Sequence, residues 1–178
     1  MQFVKILLMS IGAAVVYGMI HDQITARICV EYFTIGHPPI FATDSPTLLG
    51  IGWGIIATWW VGLLLGLPLA IVARAGRRPV LSTARLIRPI LILLMCMAVT
   101  AFVAGIVGYV VASRRVIALP EPLASWVPEE HHVGFLVDWF THLASYASGF
   151  LGGLILIVWA WRKRRRSPAV AADFGAAS

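Results

Sequence analysis

The chain has 178 residues, 60% of them hydrophobic and only 12% charged, with a net charge of +6. A soluble domain carries about 25% charged residues, so lipid is the expected solvent, and a disordered chain is excluded by the high hydrophobicity. The positive charge does not point to nucleic acid, because the positions of the basic residues read as membrane topology, and nothing marks a second domain.

A bilayer core of about 30 Å needs about 20 apolar residues as helix. The first stretch that qualifies is Phe3 to Ile20, interrupted only by Lys5. It opens like a signal peptide, but Tyr17-Gly18-Met19-Ile20-His21 is a poor cleavage site, so a retained helix is expected. Asp22, next to His21, reads as the end of that helix. The connection from Asp22 to Thr43 is rich in β-branched and aromatic residues between Ile24 and Ile35. A small irregular or short-β segment is expected there, with an interfacial helix as the alternative. Gly36-His37-Pro38-Pro39 then forces a turn.

The second span runs from Thr47 to Val72 and opens on Asp44-Ser45-Pro46, an N-cap with proline at the first helical position. Gly54, Gly62 and Gly66 offer a face for close helix approach, and Pro68 could bend the span near its far end. The third span, Ile90 to Ala112, contains Gly105, Gly108 and Cys96. Cys96 and Cys29 differ in depth and neither has a CxxC partner, so both read as packing residues. The fourth span covers Leu143 to Trp161. Its helix opens earlier, near Glu129, after Pro128 and with acids in the first turn. Residues 1–166 thus read as one all-α, four-helix membrane bundle, and residues 167–178 as a disordered small-residue tail.

Orientation follows from Lys and Arg near the span ends. Lys5, the group Arg74, Arg77, Arg78, Arg85 and Arg88, and the run from Arg162 to Arg166 fall on one side; only Arg27, Arg114 and Arg115 fall on the other. The arginine-rich side, with both termini, is therefore expected in the cytoplasm. Arginine over lysine and abundant alanine suggest a bacterial chain, hence an inner-membrane protein whose opposite face meets the periplasm.

All five histidines, and every acid except Asp173, lie on the outer side or at its boundary. A chemical site would therefore face outward. At about 100° per residue, His131, Asp138 and His142 share a sector of about 40° on the fourth helix, continued by Tyr146 and then by Gly149 and Gly153. His21 closes the first span at the same depth. His21, Glu31, His131, Asp138 and His142 are thus candidate ligands for zinc, copper or iron, with Asp138 and His142 spaced i, i+4 on one face. The plainer alternative is that these groups bond one another where a bundle meets water. His37 and His132, off the stripe, read as solvated loop residues.

Other activities fit less well. The second and third spans hold no mid-membrane acid, histidine or base, which disfavours transport by a single chain. Histidine pairs at two depths, as two haems require, are absent from the sequence. Ser145 follows His142 by three residues but without a nucleophile motif. The expectation is an accessory or subunit protein of an envelope complex, set in the lipid bilayer and recognised by protein partners through its outer loops, Glu31-Tyr32-Phe33 included. The first alternative is a metal-binding protein or metalloenzyme using the His131/Asp138/His142 stripe. The second is an oligomeric small-solute transporter.

Overall fold

The computed structural model describes residues 1–76 and 78–166; Arg77 and the expected disordered tail lie outside the described residues. Four segments are long and apolar enough to cross a membrane, Gln2–Ile28, Pro46–Arg74, Thr83–Ser113 and Glu129–Arg166. Large apolar side chains stand exposed along all of them, Leu91, Met95 and Phe102 on the third among the most exposed. Apolar surface of that extent fits a bundle bathed in acyl chains.

The first helix, α1 (Gln2–Ile28), contains no proline and continues two turns past the apolar stretch. Asp22 therefore does not end it. It stops at Cys29, whose extended backbone (φ −150°, ψ 103°) breaks the spiral while its N–H still closes on Thr25 O. A short α2 (Val30–Thr34) follows, ended by Gly36 and the two prolines. The short-β expectation for this connection is thereby corrected, for no strand occurs among the described residues. Apolar side chains here alternate with neighbours on a helical period, and Phe33 is buried against Leu49 and Trp53.

Pro46 stands in the first turn of α3 (Pro46–Ile56) with Ser45 at its N-cap. The second span is two helices, since Ala57 and Thr58 interrupt it before α4 (Trp59–Arg74). Pro68 lies inside α4 and does not end it. α5 (Thr83–Ser113) is one helix, and after a single turn, α6 (Leu123–Trp126), and a 3-10 turn (Glu129–His131), α7 (His132–Arg166) runs the length of the bundle.

Two antiparallel pairs build the core. In the first, α3 and α4 lie against α1 through glycines: a Cβ on Gly54 would stand 2.5 Å from Met19 Cα, and one on Gly62 2.7 Å from Ile11 Cα. Only glycine permits such backbone proximity, and it fixes the height at which the end of α1 is held. In the second pair α5 packs along α7, with Gly108 against Phe140. The pairs join through α4 with α7 and α1 with α5. One end of the bundle gathers the start of α1, the 75–82 connection and the end of α7. There Arg164, only 5% exposed, donates to the carbonyls of Val72, Ala75, Arg78 and Pro79. The opposite end carries the histidines.

Candidate metal centre at the histidine end

The extra turns of α1 carry His21 and Asp22 into the bundle. Asp22 is 5% exposed, and its burial follows the small and polar face Gly18, Asp22, Thr25 and Cys29. From α7 comes His142, 7% exposed. Asp22 Oδ1 lies 3.0 Å from His21 Nδ1 and 3.3 Å from His142 Nε2. The two imidazoles meet edge to face, ring centres 4.6 Å apart. One donor atom from each of the three residues lies within 4.8 Å of the others.

Hydrogen bonding fixes the ring states. His142 Nδ1 is 2.7 Å from the main-chain oxygen of Asp138. A carbonyl oxygen only accepts, so Nδ1 carries the hydrogen and, in the neutral ring, Nε2 presents its lone pair to Asp22. His21 donates from Nδ1 to Asp22, which leaves its buried Nε2 with no protein partner. Two acceptors thus face each other at Asp22 and His142, an arrangement that needs a proton or a metal ion between them. Two ligands of a tetrahedral ion bound at about 2.0–2.1 Å stand about 3.3–3.4 Å apart, so the 3.3 Å between Asp22 Oδ1 and His142 Nε2 fits such an ion, and the unpartnered Nε2 of His21 is the nitrogen free to join them.

One turn before His142, Asp138 is fully buried, and neither carboxyl oxygen accepts a hydrogen bond. The Cys29 N–H beside it is given to Thr25 O. A buried carboxylate in this state is costly unless a proton or cation compensates it. Around the three residues, a cavity of about 50 Å³ is lined by Tyr17, Thr58, Ser145 and Tyr146 among others, enough space for one or two waters or a small ligand group. Tyr17 shares a 2.9 Å hydrogen bond with Ser145, and Tyr146 donates to Ala57 O at the α3–α4 break. Ser145 is thus engaged with Tyr17, not with His142. Tyr32 stacks on the His142 ring at 4.6 Å and closes the site from α2.

Of the five residues expected from sequence, the structure brings His21 and His142 together and sets Asp138 next to them. Glu31 and His131 form a separate pair, 3.6 Å apart and nearer the surface. Asp22, the central group, was read as a helix terminator and so missed; the continuation of small and polar residues at helical spacing through Cys29 is the signal that identifies it. His37 and His132 are not free loop residues, since their rings lie within hydrogen-bond reach of Tyr32 O and Val127 O, each at 2.8 Å. Burial pushes the Cys29 thiol up to about 12, and it holds the Tyr32 hydroxyl well above its ordinary value. Cys29 and Cys96 are both free. Comparison with protein-family models, curated proteins and solved structures gives no match.

Proposed function

We propose that this is an integral membrane protein that binds one divalent transition metal, zinc or iron, through His21, Asp22 and His142 on the non-cytoplasmic side of the bilayer. The carrying observation is Asp22 Oδ1 set between two imidazole nitrogens, at 3.0 and 3.3 Å, with His142 Nδ1 already committed to Asp138 O. The bond to Asp138 orients the His142 ring and supports its Nε2 as a ligand, the usual role of such outer partners. Two imidazoles and a carboxylate suit zinc or non-haem iron, and the absence of a thiolate or thioether ligand leaves nothing that selects Cu(I). Three protein ligands also leave coordination positions open, as in catalytic rather than structural sites. Such an ion would supply Lewis acidity toward water or a substrate group in the cavity. There Tyr17, Ser145 and Tyr146 are placed to orient that group.

The test is elemental analysis of detergent-purified protein, loaded with Zn²⁺ or Fe²⁺, beside a His21→Ala/His142→Ala variant. One ion per wild-type chain and none in the variant supports the reading; a folded wild type without metal defeats it. Sidedness rests on the arginine bias. Reporter fusions after Val80 should be cytoplasmic and those after Pro38 and Leu119 external, with the reverse pattern overturning the orientation.

A second reading, a subunit of an envelope complex, is favoured by one feature. Val116 and Trp126, in the connection between α5 and α7, are 71% and 60% exposed at the same end as the histidines. Those two side chains are where a protein partner would dock, and crosslinking from position 126 would identify it.

A further inference from the structure

A string of polar groups links the buried centre to the surface at the histidine end. His131 Nε2 and Glu31 Oε1 are 3.6 Å apart, with side chains 44% and 18% exposed. Glu31 Oε2 accepts from Cys29 Sγ at 3.3 Å. Cys29 lies against Asp138, and α7 approaches so closely here that a Cβ on Gly134 would stand 3.3 Å from Cys29 Cβ. Asp138 in turn holds His142 through its main-chain oxygen. Exposure falls along the string, from partly open at His131 to 0% at Asp138.

Two features of this string bear on cation binding beside the apolar cluster of Cys29, Val127, Phe135 and Leu136. Glu31 and His131 make an ion-pair contact at 3.6 Å, longer than a hydrogen bond and near the spacing of two ligands on one ion. The Asp138 carboxyl group, fully buried, accepts no well-formed hydrogen bond, the nearby Cys29 N–H being given to Thr25 O. A carboxylate–imidazole pair near the surface is thus followed inward by a buried carboxyl group.

We propose that Glu31 and His131 form a second, outer cation site, which captures a divalent ion and loads it past Cys29 and Asp138 into the His21/Asp22/His142 centre. This rests on the metal reading above and adds to it a route and a pair of residues that set the rate of loading. Glu31 supplies the charge that draws the ion in, and His131 supplies an imidazole nitrogen as the second ligand. Cys29 lies between the two carboxyl groups in closely packed surroundings, so the ion passes from Glu31 to Asp138 only when α2 and α7 part there. The pair touches neither His21 nor His142, so its loss leaves the inner centre intact.

The test is stopped-flow uptake of Zn²⁺ by metal-free protein in detergent, followed against a competing fluorescent chelator, with final zinc content measured separately. Glu31→Gln/His131→Gln should slow loading by about tenfold, the lower range of electrostatic steering, with unchanged final content and affinity. Glu129→Gln/Glu130→Gln, two acids near the pair but outside the string, should load at the wild-type rate. Equal slowing in both variants would mean diffuse attraction, and an unchanged rate in the first would mean another route; either overturns the proposal. So does a loss of equilibrium affinity with an unchanged rate of uptake. A folded wild type that takes up no zinc overturns this proposal and the metal reading together, whereas normal uptake by the Glu31/His131 variant overturns this one alone.

Discussion

Asp22 and His142 meet as two buried acceptors, carboxylate oxygen to imidazole Nε2 at 3.3 Å, because the other nitrogen of His142 gives its hydrogen to Asp138 O. Asp22→Asn separates the two ways of resolving that contact. If a proton alone resolves it, the asparagine NH₂ gains a hydrogen bond to Nε2 but gives up the one from His21 Nδ1, which reaches the same oxygen, so stability changes little. If a metal resolves it, the variant loses a ligand, and zinc affinity should fall by more than the roughly 10–100-fold typical of an outer-sphere partner. Competition titration against a chelator of known affinity measures this directly, and a variant that binds as the wild type does would remove Asp22 from the site.

Asp138 makes a related prediction with a different sign. In metal-free protein its carboxyl is buried and unpartnered, so Asp138→Asn removes a group that must either hold a proton or remain a costly buried charge, without altering shape. The melting temperature of the metal-free variant should rise, by about 2–4 °C for each 1 kcal/mol recovered in a chain of this size. The additional stabilisation on adding zinc should shrink. A variant that melts lower than wild type without metal would show that Asp138 has a structural partner.

Much of this architecture is legible in the chain, for a physical reason. A helix in lipid must satisfy every backbone group internally, so four apolar stretches must become four helices. The outward start of α7 is legible too, from Pro128 and the two glutamates. What hydropathy does not show is where helical hydrogen bonding stops. The apolar run ends at Ile20, but nothing at His21 or Asp22 breaks a helix, and α1 continues to Ile28. Asp22 was missed on that account alone. The break at Ala57–Thr58 carries no proline; Thr58 Oγ1 bonds back to Gly54 O, a local competition that bends helices and leaves little mark on composition. His131, Asp138 and His142 share a helical face, yet the 3-10 turn at Glu129–His131 and the arrival of Glu31 draw His131 away from the other two.

Arg164 is a structural counterpart at the other end. α4 ends with free carbonyls, and Arg164 reaches from α7 to Val72 O and Ala75 O there, then to Arg78 O and Pro79 O in the connection. Hydrogen bonds from a charged donor contribute about 1.5–3 kcal/mol, and Lys cannot reproduce the fork of a guanidinium. Arg164→Ala should therefore lower stability by about 2–3 kcal/mol in a denaturant titration in mixed micelles, and Arg164→Lys should recover less than half of it. Metal affinity should not change, since the centre is at the far end. Full recovery by lysine would reduce the role of Arg164 to charge alone.

His37 gives the pH dependence. Burial among Phe33, Tyr32 and Trp53 lowers its pKa from the ordinary value near 6.5, and the hydrogen bond to Tyr32 O only partly opposes this. In the unfolded chain the ring takes a proton near pH 6.5, while in the folded protein it stays neutral to lower pH. Above that value both states are neutral and His37 is indifferent to pH. As pH falls through 6.5 the unfolded state binds the additional proton, and stability is lost down to the folded pKa. Asparagine keeps a donor close to the Nδ1 position but cannot titrate. Melts in detergent between pH 7.5 and 5 should therefore show the wild type losing more than His37→Asn, with the difference opening only below about pH 6.5. The difference between the two proteins reports His37 together with its repulsion by His142, which acts in the same direction as burial. Parallel curves would mean that His37 protonates in place, with its bond to Tyr32 O intact.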